Sequence, residues 1–180
     1  MKRQIGTAAL GLGAMLLAAC QPTYDIDMSL PMKDGVWKGQ SNPDDQGAIG
    51  IITIVVENGD ITNTIYETKQ ADGSDKGRNY GKDSSGQVFN EEYYARAQRA
   101  VDSFARYSQE LTDKDDPTKV DVISGATVAH SQFMQAAIRA ISAAQGVEAS
   151  GADGIEIPGL EDSTKLGGSE LDKDLGGTGQ

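Results

Sequence analysis

The residues best suited to chemistry lie together in one short segment, DVISGATVAH, at positions 121–130. Residues 120–123, VDVI, predict a short strand, and the Ser-Gly-Ala-Thr turn that follows should open a helix. The first N–H groups of a helix lack partners and its dipole is positive at that end, so a phosphate is favoured there. Gly125 lets the backbone approach closely, and Ser124 and Thr127 add hydroxyl groups. The segment is therefore a candidate phosphate site; the ordinary alternative is that its Ser and Thr are helix N-caps.

The single cysteine, Cys20, ends a second segment with a functional pattern. Lys2 and Arg3 form a positive start, and residues 5–19 then carry no charge: IGTAALGLGAMLLAA. This pattern is typical of a secretory signal peptide and is shorter than the roughly 20 apolar residues of a spanning helix. Its end, Leu-Ala-Ala-Cys, resembles the bacterial lipobox, whose cysteine receives a lipid and becomes the new N-terminus. We expect Cys20 to anchor the mature chain at the extracytoplasmic face of the cell membrane or envelope; the alternative is a secreted protein or an uncleaved signal anchor.

The composition narrows the classes of function that the chain could have. The sequence has 16 Lys plus Arg against 27 Asp plus Glu, a net charge of −11, so the phosphates of a nucleic acid would be repelled rather than neutralised. One cysteine and one histidine are too few for a Cys/His zinc cluster or a disulfide framework. We therefore expect no nucleic-acid partner, and we assign no metal ligand and no catalytic residue.

Three strands are predicted ahead of the candidate site. Residues 36–39 follow an Asp-Gly turn, and residues 49–56, IGIITIVV, are β-branched at nearly every position, which favours a central strand covered on both faces. The Asn-Gly pair at 58–59 fits a type I′ turn into a returning strand at 61–68, ITNTIYET. The glycine-rich residues 69–88 are interpreted as a loop that could act as a lid.

Two helices are predicted on either side of residues 121–126. Asn90 should cap the first, which ends near Thr112, and Gly146 should stop the second. Apolar residues at helical spacing mark the buried side of each helix: Tyr93, Ala97, Ala100, Val101, Phe104, Tyr107 and Leu111 in the first, and Met134, Ala137, Ile138, Ile141 and Ala144 in the second. The tyrosines are interpreted as core residues with hydrated hydroxyl tips rather than flavin ligands.

These elements predict an α+β fold, a small antiparallel sheet with a central hairpin packed by two helices. The predicted boundaries are a signal peptide at 1–19, a lipid-anchored linker at 20–33, one domain at 34–146 and a disordered acidic tail at 147–180. The tail is assigned from its composition, because it contains 8 acidic and 2 basic residues, eight glycines and few apolar side chains.

Asp-x-x-Ser-Gly-Ala-Thr resembles the flavinylation motif of the FMN-binding domain family, which includes the C subunit of sodium-translocating NADH:quinone oxidoreductase and small bacterial FMN-binding lipoproteins. The resemblance covers residues 34–145 and includes DGVWKG, the hairpin ending IYET, the DG and NYG elements and the YYARAQRAV helix. It implies that a flavin transferase moves FMN from FAD onto Thr127 as a phosphoester. The cofactor implied is covalent FMN.

The resemblance also assigns the other motif positions. Gly125 and Ala126 would shape the backbone at the phosphate, Asp121 would fix the turn or be recognised by the transferase, and Ser124 would be a cap or a ligand. His130 stands where the family more often has Ser, Thr or Tyr. We interpret it as an ordinary surface histidine, with a place beside the flavin phosphate as the alternative.

The function that the resemblance implies is a membrane-anchored extracytoplasmic flavoprotein. It would take electrons from membrane quinol or a membrane flavoprotein and pass them to an external acceptor, more as an electron carrier than as a stand-alone enzyme. Two alternatives remain: a flavin-free lipoprotein that acts as an interaction or solute-binding module, and an FMN-dependent reductase with its own small substrate.

Overall fold

The computed structural model describes residues 24–159, so the predicted signal peptide, Cys20 and residues 160–180 lie outside the described residues. The elements, in chain order, are β1 (Gly35–Gln40), β2 (Ile49–Glu57), β3 (Asp60–Lys69), α1 (Glu91–Lys114), a 3-10 turn (Pro117–Lys119), α2 (Thr127–Gln145) and α3 (Ser150–Asp153). The strands form one antiparallel sheet in the order β1-β2-β3, and both long helices pack on it. The predicted α+β fold class is confirmed.

The hairpin of β2 and β3 forms as its turn residues predict. Asn58 and Gly59 both have positive φ, 56° and 88°, which a type I′ turn requires. β2 is the central strand, but the expectation that it is covered on both faces is wrong. Alternate residues such as Ile52 and Ile54 are fully buried, while those between them are half-exposed. β-branched side chains suit a pleated strand whether one face or both faces are covered, so composition did not distinguish the two arrangements.

Helix α2 lies directly on β1. A β-carbon added to Gly39 would lie 2.0 Å from the carbonyl oxygen of Ala136, so only glycine permits this approach of strand to helix. The whole predicted apolar side of α2 is buried, and so are polar residues on its other sides, among them Gln132 and Gln135. Gly146 ends the helix with φ 74°, as predicted. Because α2 is buried on several sides, it is the central element of the domain.

Helix α1 packs against β3, where Phe104 and Tyr107 contact the ring of Tyr66, and Leu111 is buried on the same helix. The Asn90 side chain caps it by accepting the N–H of Tyr93, as predicted. The helix continues to Lys114, slightly beyond the predicted end near Thr112. Asp115 adopts a left-handed conformation and ends the helix there.

The middle of the predicted lid, residues 69–88, is bonded to the rest of the domain. Lys76 and Asp44 form a buried ion pair with 3.0 Å between Nζ and Oδ2, and the Lys76 ammonium lies 4.8 Å from the centre of the Tyr80 ring. The Gln98 side-chain amide of α1 donates to the carbonyl of Tyr80. Opening this part of the loop would break these three contacts, so residues 76–80 are not interpreted as a lid.

Residues 24–33 pack on the domain instead of forming a free linker. Met32 is buried, and Tyr24, Ile26 and Met28 pack against the core. The side-chain amide of Gln145 donates to the carbonyl of Asp27 at 2.8 Å. The domain therefore begins before the predicted residue 34.

The predicted boundary at residue 146 is also wrong. Ala152 in α3 is fully buried, Asp153 pairs with Arg139 at 2.8 Å, and the Gln135 amide donates to the carbonyl of Ile155. Composition averaged over residues 147–180 concealed this short segment, in which alanine and isoleucine reach the core. The described part of the predicted tail, residues 147–159, belongs to the domain.

Candidate functional site

The turn before α2 gathers four of the five predicted motif residues. Residues 120–123 do not form the predicted strand; they follow the 3-10 turn as irregular backbone, because their polar groups bond to side chains of α1 and α2 rather than to a strand. The N–H of Ala126 donates to the carbonyl of Ile123 at 2.9 Å, and Gly125 has φ 79°. Helix α2 then begins at Thr127.

The motif residues differ in exposure. Ser124 and Gly125 are exposed, Thr127 is half-buried and Ala126 is buried. Asp121 lies outside the turn: its side chain is 83% exposed and its nearest charged partner is Lys114, at 3.7 Å. The structure thus brings residues 124–127 together in one turn, and Asp121 lies in the exposed segment before that turn.

The start of α2 has no side-chain cap. Ala126 occupies the N-cap position, and the hydroxyls of Ser124 and Thr127 make no hydrogen bond to any of residues 24–159. The N–H groups of Thr127, Val128 and Ala129 likewise find no partner in that part of the chain; the first bond of the helix is from His130 to Ala126. The interpretation of Ser124 or Thr127 as an ordinary N-cap is therefore wrong for this geometry, and the helix start is available to an anion.

Tyr107 of α1 fixes the turn from inside the protein. Its buried hydroxyl accepts the N–H of Ile123 at 3.2 Å and donates to the carbonyl of Ala126 at 3.4 Å. Burial raises the pKa of this hydroxyl to about 12, so it keeps its proton at neutral pH. The sequence predicts a hydrated hydroxyl at the tip of Tyr107. In the structure this hydroxyl is instead bonded to the backbone of the motif.

His130 is buried, and the expectation of a surface histidine is wrong. Its Nε2 lies 3.1 Å from the carbonyl oxygen of Val120, and because a carbonyl only accepts, Nε2 carries the proton. The ring packs edge-on to Tyr107, with 5.5 Å between centres. Burial lowers the pKa of His130, so the ring is neutral at pH 7 and acts as a fastener between α2 and the residues before the turn.

Arg99 of α1 approaches the turn from the solvent side. A β-carbon placed on Gly125 would lie 3.3 Å from the Arg99 Nε atom, so the guanidinium rests against the motif glycine. Sequence reasoning missed Arg99 and the role of Tyr107, because their contacts with the turn depend on how α1 packs beside α2. The apolar spacing of α1 predicted that Tyr107 is buried but not which backbone groups it meets.

The residues present fit the phosphate of the FMN that the sequence resemblance implies. Such a group needs a reachable hydroxyl and partners for one negative charge. Thr127 offers an unbonded hydroxyl, the start of α2 offers N–H groups, and Arg99 offers a cation. Trp37 is half-buried and its indole N–H donates to the carbonyl of Lys33, so we assign it no part in the site.

Among residues 24–159, no group of three or more His, Cys, Asp or Glu side chains is arranged to hold a metal ion. No helix in this part of the chain has the length and apolar character needed to cross a membrane.

The chain is similar in fold to a structural genomics target from Clostridium perfringens known from a crystal structure. The two are 23% identical, the match covers 69% of this chain and 93% of that one, and the TM-score is 0.50. A solution NMR structure from Clostridium thermocellum is 25% identical over 65% of this chain and 95% of that chain, with a TM-score of 0.38. No protein-family model matches the chain, and neither does any curated protein. The likeness to the first structure supports the fold alone.

Proposed function

We propose that this protein is a membrane-anchored, extracytoplasmic flavoprotein that carries FMN covalently on Thr127 and transfers electrons from a membrane donor to an external acceptor. The proposal rests on the resemblance of residues 34–145 to the FMN-binding domain family together with one structural observation. The Thr127 hydroxyl is unbonded to residues 24–159 at an uncapped helix start. That observation carries the proposal because a Thr that served only to cap the helix would bond to its backbone.

The attachment is a phosphoryl-group transfer in which a flavin transferase supplies FAD. The Thr127 oxygen loses its proton and bonds to the phosphorus on the riboflavin side of FAD. The bond from that phosphorus to the AMP half breaks, so AMP and one proton are released and nothing is oxidised or reduced. The product is a phosphodiester with one negative charge. The N–H groups at the start of α2 and the positive end of its dipole would stabilise that charge.

The remaining motif residues shape this attachment point. Gly125 turns the chain with a positive φ, and Ala126 is buried, so a larger side chain there would press on the core. Tyr107 and His130 hold the turn from below through backbone hydrogen bonds. The Thr127 hydroxyl is thereby presented on a rigid support, which suits a group that must enter the transferase and afterwards carry a cofactor.

Bound FMN supplies the redox chemistry, since it accepts and releases one or two electrons. A covalent bond suits an extracytoplasmic protein because a dissociable cofactor would be lost by dilution. The lipid proposed on Cys20 would keep the domain near membrane quinol or a membrane flavoprotein as electron donor. In this proposal the protein is a carrier, and no side chain is assigned a catalytic role.

The test is the intact mass of the exported protein made with and without a flavin transferase. We expect the transferase to add the mass of FMN less one water, and we expect the flavin to remain after denaturation. A wild-type protein that stays unlabelled beside a transferase active on a known substrate would contradict the proposal and favour a flavin-free interaction module. Steady reduction of a defined small molecule by the labelled protein would instead favour an FMN-dependent reductase.

A further inference from the structure

Arg99 places a cation beside the attachment point, although it belongs to another helix and lies outside the motif. We infer that Arg99 binds the phosphodiester of FMN attached to Thr127 and holds it against α1. This inference rests on the proposed function. It adds a residue that the sequence motif does not contain and gives the phosphate a partner other than the backbone of α2.

The contact between Arg99 and Gly125 carries the inference. A β-carbon on Gly125 would lie 3.3 Å from the Arg99 Nε atom and 4.0 Å from its Cδ atom, so any side chain there would crowd the arginine. Gly125 is also two residues before Thr127, in the same turn. The Arg99 side chain therefore lies against the turn that presents the Thr127 hydroxyl.

Arg99 has no other partner among residues 24–159. Neither an ion pair nor a hydrogen bond joins it to that part of the chain. Lys114, another cation near the motif, is already paired, with Glu110 at 3.0 Å and with Asp121 at 3.7 Å. An arginine held against a turn without a carboxylate partner is available for an anion.

The chemistry of guanidinium favours phosphate as that anion. Its planar N–H groups match two phosphate oxygens at once, and the group stays charged at every physiological pH. The protein as a whole carries a net charge of −11, which repels anions from its surface. A local cation at the turn offsets this repulsion where the phosphodiester would lie.

The first experiment measures protection of Arg99 from phenylglyoxal, an arginine-specific reagent, in wild-type protein made with and without the transferase. Fragment-ion mass spectrometry of the α1 peptide reports each arginine separately. We expect Arg99 to react about three-fold more slowly when FMN is attached, the scale of an exposed ion pair. Arg96 is the internal control: it is exposed on the same helix, and its rate should not change.

A second measurement separates charge pairing from simple coverage by the flavin. The phosphorus-31 resonance of the labelled protein should move in Arg99→Gln, stay close to the wild-type position in Arg99→Lys, and remain unchanged in Arg96→Gln. Equal rates for Arg99 with and without FMN, or an unmoved resonance in labelled Arg99→Gln, would overturn the inference while leaving the attachment intact. If wild type never gains the FMN mass, the proposed function fails and this inference fails with it.

Discussion

The hydroxyl group of Tyr107 accepts the backbone N–H of Ile123 at 3.2 Å, which ties helix α1 to the residues that lead into the candidate attachment turn. The same hydroxyl donates to the carbonyl of Ala126 on the far side of the turn. One buried side chain therefore spans the turn, and its position depends on the packing of Tyr107 against Phe133 of α2, whose ring is stacked on it at 5.1 Å. The geometry of the motif is set by the core beneath it.

Removing this hydroxyl should destabilise the protein. Tyr107→Phe keeps the ring but leaves the N–H of Ile123 without its partner, so we expect the free energy of unfolding to fall by about 1–3 kcal/mol. Tyr94→Phe is the matched control, because its hydroxyl bonds to the carbonyl of Arg78 in an exposed setting and should matter less. Urea denaturation measures both variants. Equal losses in the two would show that the Tyr107 hydroxyl does not support the turn.

The buried histidine predicts a pH dependence of stability. Burial lowers the pKa of His130 in the folded protein below its ordinary value of 6.5, so the unfolded chain takes up the proton first as pH falls. The contribution of His130 to the free energy of unfolding should therefore decrease as the pH drops through 6.5. It should stop decreasing once the pH is below the pKa of His130 in the folded protein. The decrease is at most about 1.4 kcal/mol per pH unit for one proton.

Because His130 is the only histidine in the sequence, a single variant isolates its contribution. His130→Gln retains a side-chain N–H donor but does not titrate, so its unfolding free energy should change less than that of wild type between pH 7.5 and 5.5. Denaturant titrations at the two pH values provide the comparison. An identical change in both proteins would argue against a lowered pKa.

How far the sequence predicts the fold depends on how local each signal is. The Asn58-Gly59 turn, the Asn90 cap and the Gly146 stop were all predicted correctly, because each depends on a few neighbouring residues. The candidate motif was also found from the sequence. Contacts from distant elements were not, and Arg99 and Tyr107 reach the turn only through helix packing. Local patterns do not encode such contacts.

The two ends of the domain show a different limit. Composition describes an average, and the acidic, glycine-rich character of residues 147–180 concealed the buried Ala152 and the bond from Gln135 to Ile155. Near the N-terminus, proline and the absence of periodicity concealed the packing of Met32. A short segment needs only one or two apolar side chains to dock, and this is too few to produce a periodic pattern.

Two truncations measure the contribution of the docked C-terminal segment. A chain ending at Gly159 keeps every contact described for residues 147–159, and a chain ending at Gly146 loses them. We expect the free energy of unfolding of the shorter chain to be lower by roughly 2 kcal/mol. The shorter chain lacks the apolar area that Ala152 and Ile155 bury and the Arg139–Asp153 ion pair. Thermal denaturation of the two chains gives the difference. Equal midpoints would mean that residues 147–159 do not stabilise the domain.

The lipid anchor is tested by Cys20→Ser. The variant should be released from membranes into the periplasm or medium while its unfolding midpoint stays that of the wild-type domain, because the substitution removes none of the contacts among residues 24–159. Membrane fractionation with detergent-free washing, followed by immunoblotting, distinguishes the two locations. A variant that stays with the membrane would contradict lipidation at this position.

The attachment site gives the most direct test of the proposed function. Thr127→Val keeps the β-branched shape and removes the only atom that could be esterified, so co-expression with the transferase should add no FMN mass. Thr127→Ser keeps an oxygen and should retain at least partial labelling. Ser124→Ala is the control, because it removes another hydroxyl from the same turn. Like the Thr127 hydroxyl, the Ser124 hydroxyl is not bonded to residues 24–159, and the variant should be labelled to the same extent as wild type. A Thr127→Val protein that still gains the mass, or a label that disappears in Ser124→Ala, would mean that FMN is attached elsewhere.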